Sequence, residues 1–265
     1  MTGGSYELTA TLESEKYSDK STTDGGIDPA TLEIGTDLKL SPFVHGLVGY
    51  WKFDETGTTA NDSSGFGNNG AMFSSTSTTD LHLASTTCKT GNRCVKFDGT
   101  DDYVNMGNPS SLQLTGAMTV SVWVKHNSLN TASRFIAKQG VSGERSWSLN
   151  MEDVNPDTYN FFIAVNGGTS VGVGSSAADG PIIGQWTHLV GVYKPSVSLE
   201  LYKDGLIIGN NITSIPASQF NNTLNVNIGR RPDGILYTNG FLDEVLIYNR
   251  ALSAAEIKAS YDATK

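Results

Sequence analysis

The run from Gly240 to Asn249 constrains the fold more than any other stretch of the chain. Phe241, Asp243, Val245 and Ile247 fall on one parity, and Leu242, Glu244, Leu246 and Tyr248 on the other. Successive side chains of a strand point to opposite faces. Apolar residues on both parities therefore predict a strand covered on both sides, central in its sheet rather than at an edge. Asp243 breaks the pattern. A carboxylate in a strand built for burial needs a cation or several hydrogen-bond donors beside it.

Strand patterns recur through the preceding two hundred residues. Met118 to Lys125 alternates, with Met118, Val120, Val122 and Val124 on one face and Thr119, Ser121, Trp123 and Lys125 on the other. Strands are also predicted at 47–53, 93–97, 103–106, 134–138, 146–151, 159–165, 186–193, 198–203, 206–212 and 224–228, with Lys203-Asp204-Gly205 as a hairpin turn. Asn61 to Gly70 reads as a loop of turn formers, and the Ser/Thr-rich run 74–87 as an exposed excursion. Ser253 followed by Glu256 is a capping box that starts a short terminal helix. Many short strands, 29 glycines and one helix predict an all-β sandwich.

Residues 1–45 differ from the rest. They are polar, and two alternating runs, Tyr6 to Leu12 and Leu32 to Leu40, flank a turn at Gly25 to Pro29. A small antiparallel appendage is expected there, with a linker starting at Ser41-Pro42 and the main domain over 46–265.

The net charge of −9 argues against nucleic acid, whose binding rests on Lys and Arg at phosphates. No apolar run approaches the roughly 20 residues of a membrane helix, and no signal peptide is visible. The two cysteines, Cys88 and Cys94, enclose a Gly91-Asn92 turn signal. That turn can bring their sulfurs within bonding reach, which would place the protein outside the cytoplasm; two free thiols are the alternative.

Four stretches together resemble the laminin-G-like family in its bacterial branch with a concanavalin A-like jelly roll. They are Gly46 to Glu55, Val95 to Val104, Trp186 to Tyr193 with Leu201 to Gly205, and the closing strand with Tyr248 to Leu252. The resemblance implies a jelly-roll β-sandwich with a short C-terminal helix. It also implies a structural calcium where the first strand's end, the turn after a middle strand and the last strand meet. Mapped here, the ligands are Asp54, Gly99 and Asp243, with Asn69 adding an oxygen; the alternative is that Asp243 caps backbone amides. Asp101 and Asp102 read as solvated turn residues. Residues 1–45 resemble the C-terminal part of bacterial type IV pilin-like proteins. Membrane association would then run only through an apolar N-terminal helix that is missing here, and filament subunits would be further partners.

A planar ring stacks on the apolar side of a sugar, so Trp147, Tyr159 and Tyr237, with Arg230 and Arg231, are the ligand-binding candidates. Each also reads as a packing or loop residue, and Trp51 and Trp186 read as core. The adjacent pairs Glu152-Asp153 and Asp243-Glu244 are the only carboxylate candidates for a glycan hydrolase. Neighbouring residues of a strand point to opposite faces and do not work together. The expectation is a non-catalytic extracellular recognition domain at a bacterial cell surface, binding a glycan or a surface protein. The alternatives are a hydrolase or lyase of the same fold, and a structural filament subunit.

Overall fold

The computed structural model describes residues 7–10, 32–35, 45–75, 81–84, 88–91, 93–129, 132–153 and 157–265. The chain divides into two compact units, Met1–His45 and Gly46–Lys265. In the first, β1 (Glu7–Ala10) pairs antiparallel with β2 (Leu32–Gly35), placing Leu8 opposite Ile34. The turn at 25–29 and the linker at Ser41 lie outside the described residues.

The second unit opens with β3 (Leu47–Trp51), β4 (Thr59–Ala60), β5 (Gly70–Phe73), β6 (His82–Ala84), β7 (Arg93–Asp98) and β8 (Tyr103–Asn105). Then come β9 (Met118–His126), β10 (Ser133–Gln139), β11 (Arg145–Glu152), β12 (Thr158–Ala164) and β13 (Ser170–Gly174). It closes with β14 (Trp186–Lys194), β15 (Ser198–Lys203), β16 (Leu206–Asn211), β17 (Asn227–Ile228), β18 (Asn239–Tyr248) and α1 (Ala254–Thr264). These form two antiparallel sheets. One runs β13-β12-β11-β10-β17-β8-β5-β4; the other runs β16-β15-β14-β9-β18-β7-β6, with β3 also on β18. The long strands match their sequence patterns. β4, β5, β6 and β13 were not expected: they are short, and three of them fall in stretches whose Ser, Asn and Gly content reads as loop.

The sandwich core lies between the sheets. Val120, Val122 and Val124 of β9 meet Trp147, Leu149, Tyr159 and Phe161 of the opposite sheet, all fully buried. A second cluster sits on the outer side of the β9–β14–β18 sheet, where Ile257 of α1 packs with Tyr202, Tyr248 and Leu252. The helix therefore explains why β18 is apolar on both parities. Its start is the expected capping box: Ser253 Oγ accepts the Glu256 amide at 3.2 Å, and Glu256 Oε2 accepts the Ser253 amide at 2.7 Å.

β18 is central, hydrogen-bonded to β9 on one side and to β7 and β3 on the other. Its parity is not continuous, however. The register against β9 shifts between Asp243 and Leu246, and Glu244 takes a positive φ of 49°. This bulge inserts an extra residue. Leu242, Val245 and Ile247 consequently all face the core, although simple alternation separates Leu242 from the other two.

Candidate functional site

The bulge decides what Asp243 does. Asp243 Oδ2 accepts the backbone N–H groups of Lys89 at 3.1 Å and Thr90 at 3.0 Å, and Oδ1 accepts that of Glu244 at 3.0 Å. Thr90 Oγ1 donates to Glu244 Oε1 at 2.5 Å, and the Tyr50 hydroxyl donates to Glu244 Oε2. Both carboxylates thus reach the same residue, Thr90. The argument that adjacent acids must face opposite ways fails here because the bulge turns Glu244 round. The loop that covers them is tied down by the Cys88–Cys94 disulfide, with Cα atoms 5.5 Å apart. Asp243 is fully buried and Glu244 nearly so. Burial pushes the Asp243 carboxyl up to about 8, partly offset by its amide donors.

Of the four residues expected to hold calcium, Asp243 and Asn69 accept backbone amides. Each Asp243 oxygen already accepts at least one backbone amide. Asn69 Oδ1 accepts the Asp62 amide at 2.8 Å. Gly99 packs against the Asn239 side chain, and the Asp54 carboxylate lies against Gly91 of the disulfide loop. Asp54 and Asp243 meet the same disulfide loop, whose Lys89 and Thr90 amides are donors to Asp243.

Trp147 and Tyr159 are corrected as ligand residues. Both are 0% exposed within the inter-sheet core, so neither offers a ring face to a ligand. Trp186, read as core, is instead half-buried on the outer side of its sheet, its ring 6.4 Å from that of Phe241.

Arg230, Arg231 and Tyr237 come together at one margin of the β8–β17 sheet. Val104 and Ile228 sit opposite each other in the core, so Tyr103 projects from the outer face. Phe73 of β5 is its cross-strand partner. Their rings stack at 4.7 Å with planes 8° apart. On the other side of Tyr103, the Arg230 guanidinium lies 3.2 Å from the ring centroid and donates to the Tyr237 hydroxyl at 3.1 Å. Arg231 is held by Asp233 through two bonds of 2.7 and 2.6 Å. The result is a ladder of Phe73, Tyr103 and Arg230, whose open end is Phe73, 40% exposed. Farther along the same face, Arg134 pairs with Glu152 at 3.1 Å, and Asn150 Nδ2 donates to Glu152 at 2.8 Å. Ser148 Oγ and Asn150 Oδ1 are buried there without a partner.

Sequence reasoning missed Phe73 and Tyr103. The one available signal was the short alternation Gly70-Ala71-Met72-Phe73, with Met72 inward, and a Ser-rich tail hides it.

Two antiparallel sheets with this topology and a terminal helix define a concanavalin-like sandwich. Residues 98–258 match the family Laminin_G_3, described as the concanavalin A-like lectin/glucanases superfamily, and the chain belongs to it. A comparison with curated proteins gives no match. Among solved structures, domain 4 of AbnA, a GH43 extracellular arabinanase from Geobacillus stearothermophilus in complex with arabinotriose, is 19% identical. It superposes with a TM-score of 0.60 and covers 83% of this chain and 98% of that one. The binding domain of Paraclostridial Mosquitocidal Protein 1 is 14% identical with a TM-score of 0.59, covering 83% of this chain and 52% of that one. The botulinum neurotoxin serotype D ligand binding domain in complex with N-acetylneuraminic acid is 14% identical with a TM-score of 0.57, covering 83% and 51%. The chain spans about half of each toxin domain, and at these identities the likeness shows the fold alone.

Proposed function

We propose that the chain is a non-catalytic glycan-recognition domain of an extracellular protein, with the Phe73–Tyr103–Arg230–Tyr237 margin as its sugar-contacting surface. The observation that carries this reading is the stacked ladder ending in an exposed phenyl face. A ring held rigid on both strands gives a sugar an apolar platform at little entropic cost. Arg230 and Tyr237, fixed to each other, supply donors at its side. Complexes of the same fold with arabinotriose and with N-acetylneuraminic acid support a glycan as the partner class. A binding rather than catalytic role is supported by the burial of Asp243 and Glu244 under the disulfide loop, away from any polymer. The extracellular setting is supported by the disulfide, a bond that persists in oxidising compartments. Among the described residues, no helix is long and apolar enough to cross a membrane. The pilin-like resemblance of residues 1–45 adds a cell-surface assembly as the setting.

A glycan array tests the reading. The wild-type protein should bind a defined subset of glycans, and Phe73→Ala and Tyr103→Ala should each lose that binding while melting cooperatively. Binding that survives both substitutions places the glycan site elsewhere. Release of reducing ends from a bound polysaccharide overturns the non-catalytic role.

A further inference from the structure

Arginines gather at the margin that carries the stacked rings, and one of them lacks an acid. Arg134 pairs with Glu152 at 3.1 Å, and Arg231 with Asp233 at 2.6 Å. Arg231 and Asp233 lie close enough to Arg134 to act on its charge, so these groups share one region. Arg230 is half-buried and, among the described residues, has no carboxylate within ion-pairing distance. The acids of the β7–β8 turn are engaged elsewhere. Asp98 accepts the Thr100 amide at 2.8 Å, and Asp101 accepts the Ser75 amide at 3.3 Å. Asp102 is 7% exposed rather than solvated as its turn position suggests, and it accepts the Asp98 amide at 3.0 Å.

Arg230 is also fixed in place. Its guanidinium lies 3.2 Å from the Tyr103 ring centroid, and Nη1 donates to the Tyr237 hydroxyl at 3.1 Å. With the Asn227 carboxamide turned so that its nitrogen donates to the Val226 carbonyl at 3.1 Å, its oxygen accepts Arg230 Nε at 3.0 Å. Nη2 and the second hydrogen of Nη1 have no partner among the described residues. Gly234 stands beside Nη1 and the Tyr237 hydroxyl, and even a Cβ there would come no nearer to Nη1 than 3.7 Å. A planar fork with unused N–H groups on both terminal nitrogens and no counter-ion matches a carboxylate, which accepts from both nitrogens at once. Holding the guanidinium in advance removes much of the ordering cost that a mobile arginine would bear.

We infer that, given a glycan as the ligand of this margin, that glycan is an acidic oligosaccharide, and that Arg230 determines the specificity by taking a sugar carboxylate. Phe73 and Arg230 lie on opposite sides of Tyr103, about 8 Å apart from the spacings of 4.7 and 3.2 Å. That is longer than one pyranose ring. The unit stacked on Phe73 and the unit at Arg230 are therefore different residues of one oligosaccharide, and a free sugar acid engages only one end.

The test compares oligosaccharides bearing uronate or sialate units with their carboxyl methyl esters, which keep the sugar and lose the charge. Binding to the full chain is read on an array and then by calorimetry at low and high salt, with melting as the check on folding. The wild type should bind a subset of the free acids, and esterification should weaken binding by about tenfold or more. High salt should weaken binding of the acid more than that of the ester. Arg230→Gln should bind acid and ester alike. Arg230→Lys, which keeps the charge but not the fork, should fall between the two. Binding of neutral glycans that Phe73→Ala abolishes and Arg230→Gln leaves unchanged overturns the inference while the glycan reading stands. So does a preference for acid over ester that survives in Arg230→Gln. Binding of sulfated glycans alone overturns the carboxylate as the recognised group. No binding to any glycan overturns both the inference and the glycan reading.

Discussion

The backbone N–H of Thr90 donates to Oδ2 of Asp243 at 3.0 Å, across 153 residues of chain. Thr90 sits inside the loop closed by Cys88 and Cys94, and Asp243 sits at the bulge of the last strand. The covalent bond and the buried carboxylate therefore act on the same few residues. With the loop closed, two amides are held where a buried acid needs them. With the loop open, those amides can drift, and the acid loses donors that nothing else replaces.

Removing the disulfide should accordingly cost more than its loop entropy. A bridge closing so short a loop contributes about 2 kcal/mol through the unfolded chain alone. The Cys88→Ser/Cys94→Ser variant should lose that and a further part through Asp243. Urea unfolding of the wild type, the double serine variant, Asp243→Asn and their combination gives the coupling. Strict additivity would show that the loop and the carboxylate are energetically independent.

The fold was legible in the sequence where a strand was long enough to show its period, as in β9, β14 and β18. Two things were not. Short strands such as β5 carry too few residues to separate alternation from chance, and so Phe73 was hidden. The bulge at Glu244 depends on the neighbouring strand's register, which β18's own residues do not encode. Reading Asp243 and Glu244 as opposed followed from regular geometry, and the irregularity reversed it. The surroundings of Asp243 likewise depend on amides of a loop 153 residues away, which its own strand does not encode.

Asp243 should make the fold less stable as pH rises. Its ordinary value is 3.8 and burial holds it at about 8 in the fold. Between those values the folded chain keeps a proton that the unfolded chain has released, so stability falls with increasing pH across that window. Asp243→Asn removes the titration and should flatten the decline above about pH 6.5. Melting temperatures in chelator across this range provide the measurement; parallel curves for the two proteins would contradict it.

Two buried histidines act in the opposite direction. Burial lowers His126 to about 4 and His188 to about 3, with Lys89 adding to the second. His188 Nε2 lies 2.8 Å from Ser121 Oγ, and His126 packs on the rings of Phe135 and Tyr159. Above the ordinary value of 6.5 both are neutral in either state, and their full contribution is present. As pH falls below it, the unfolded chain takes up two protons that the fold refuses. Each costs about 1.4 kcal/mol per pH unit. Set against the single proton of Asp243, the two histidines dominate on the acid side, so these three groups place maximum stability near pH 6.5. His188→Gln should shift the acid midpoint of unfolding downward. An acid midpoint that does not move assigns the acid loss to other groups.

Gly91 tests the placement of Asp54. Its φ is +56°, and a Cβ there would lie 2.0 Å from Asp54 Oδ1. Two separable costs follow for Gly91→Ala. The left-handed backbone alone costs about 1 kcal/mol for a residue with a Cβ. The clash adds to this, because Asp54 must move away from the loop or the loop must lift from Asp243. The total should reach about 2 kcal/mol in chemical unfolding. Adding Asp54→Ala removes the clash and leaves the backbone term, so the double variant should recover roughly half of the loss relative to Asp54→Ala alone. No recovery would mean that the Asp54 carboxylate does not rest on the disulfide loop in solution. Complete recovery would mean that the loop backbone accommodates alanine without strain. Partial recovery is the outcome that the packing of Asp54, Gly91 and Asp243 around a single loop requires.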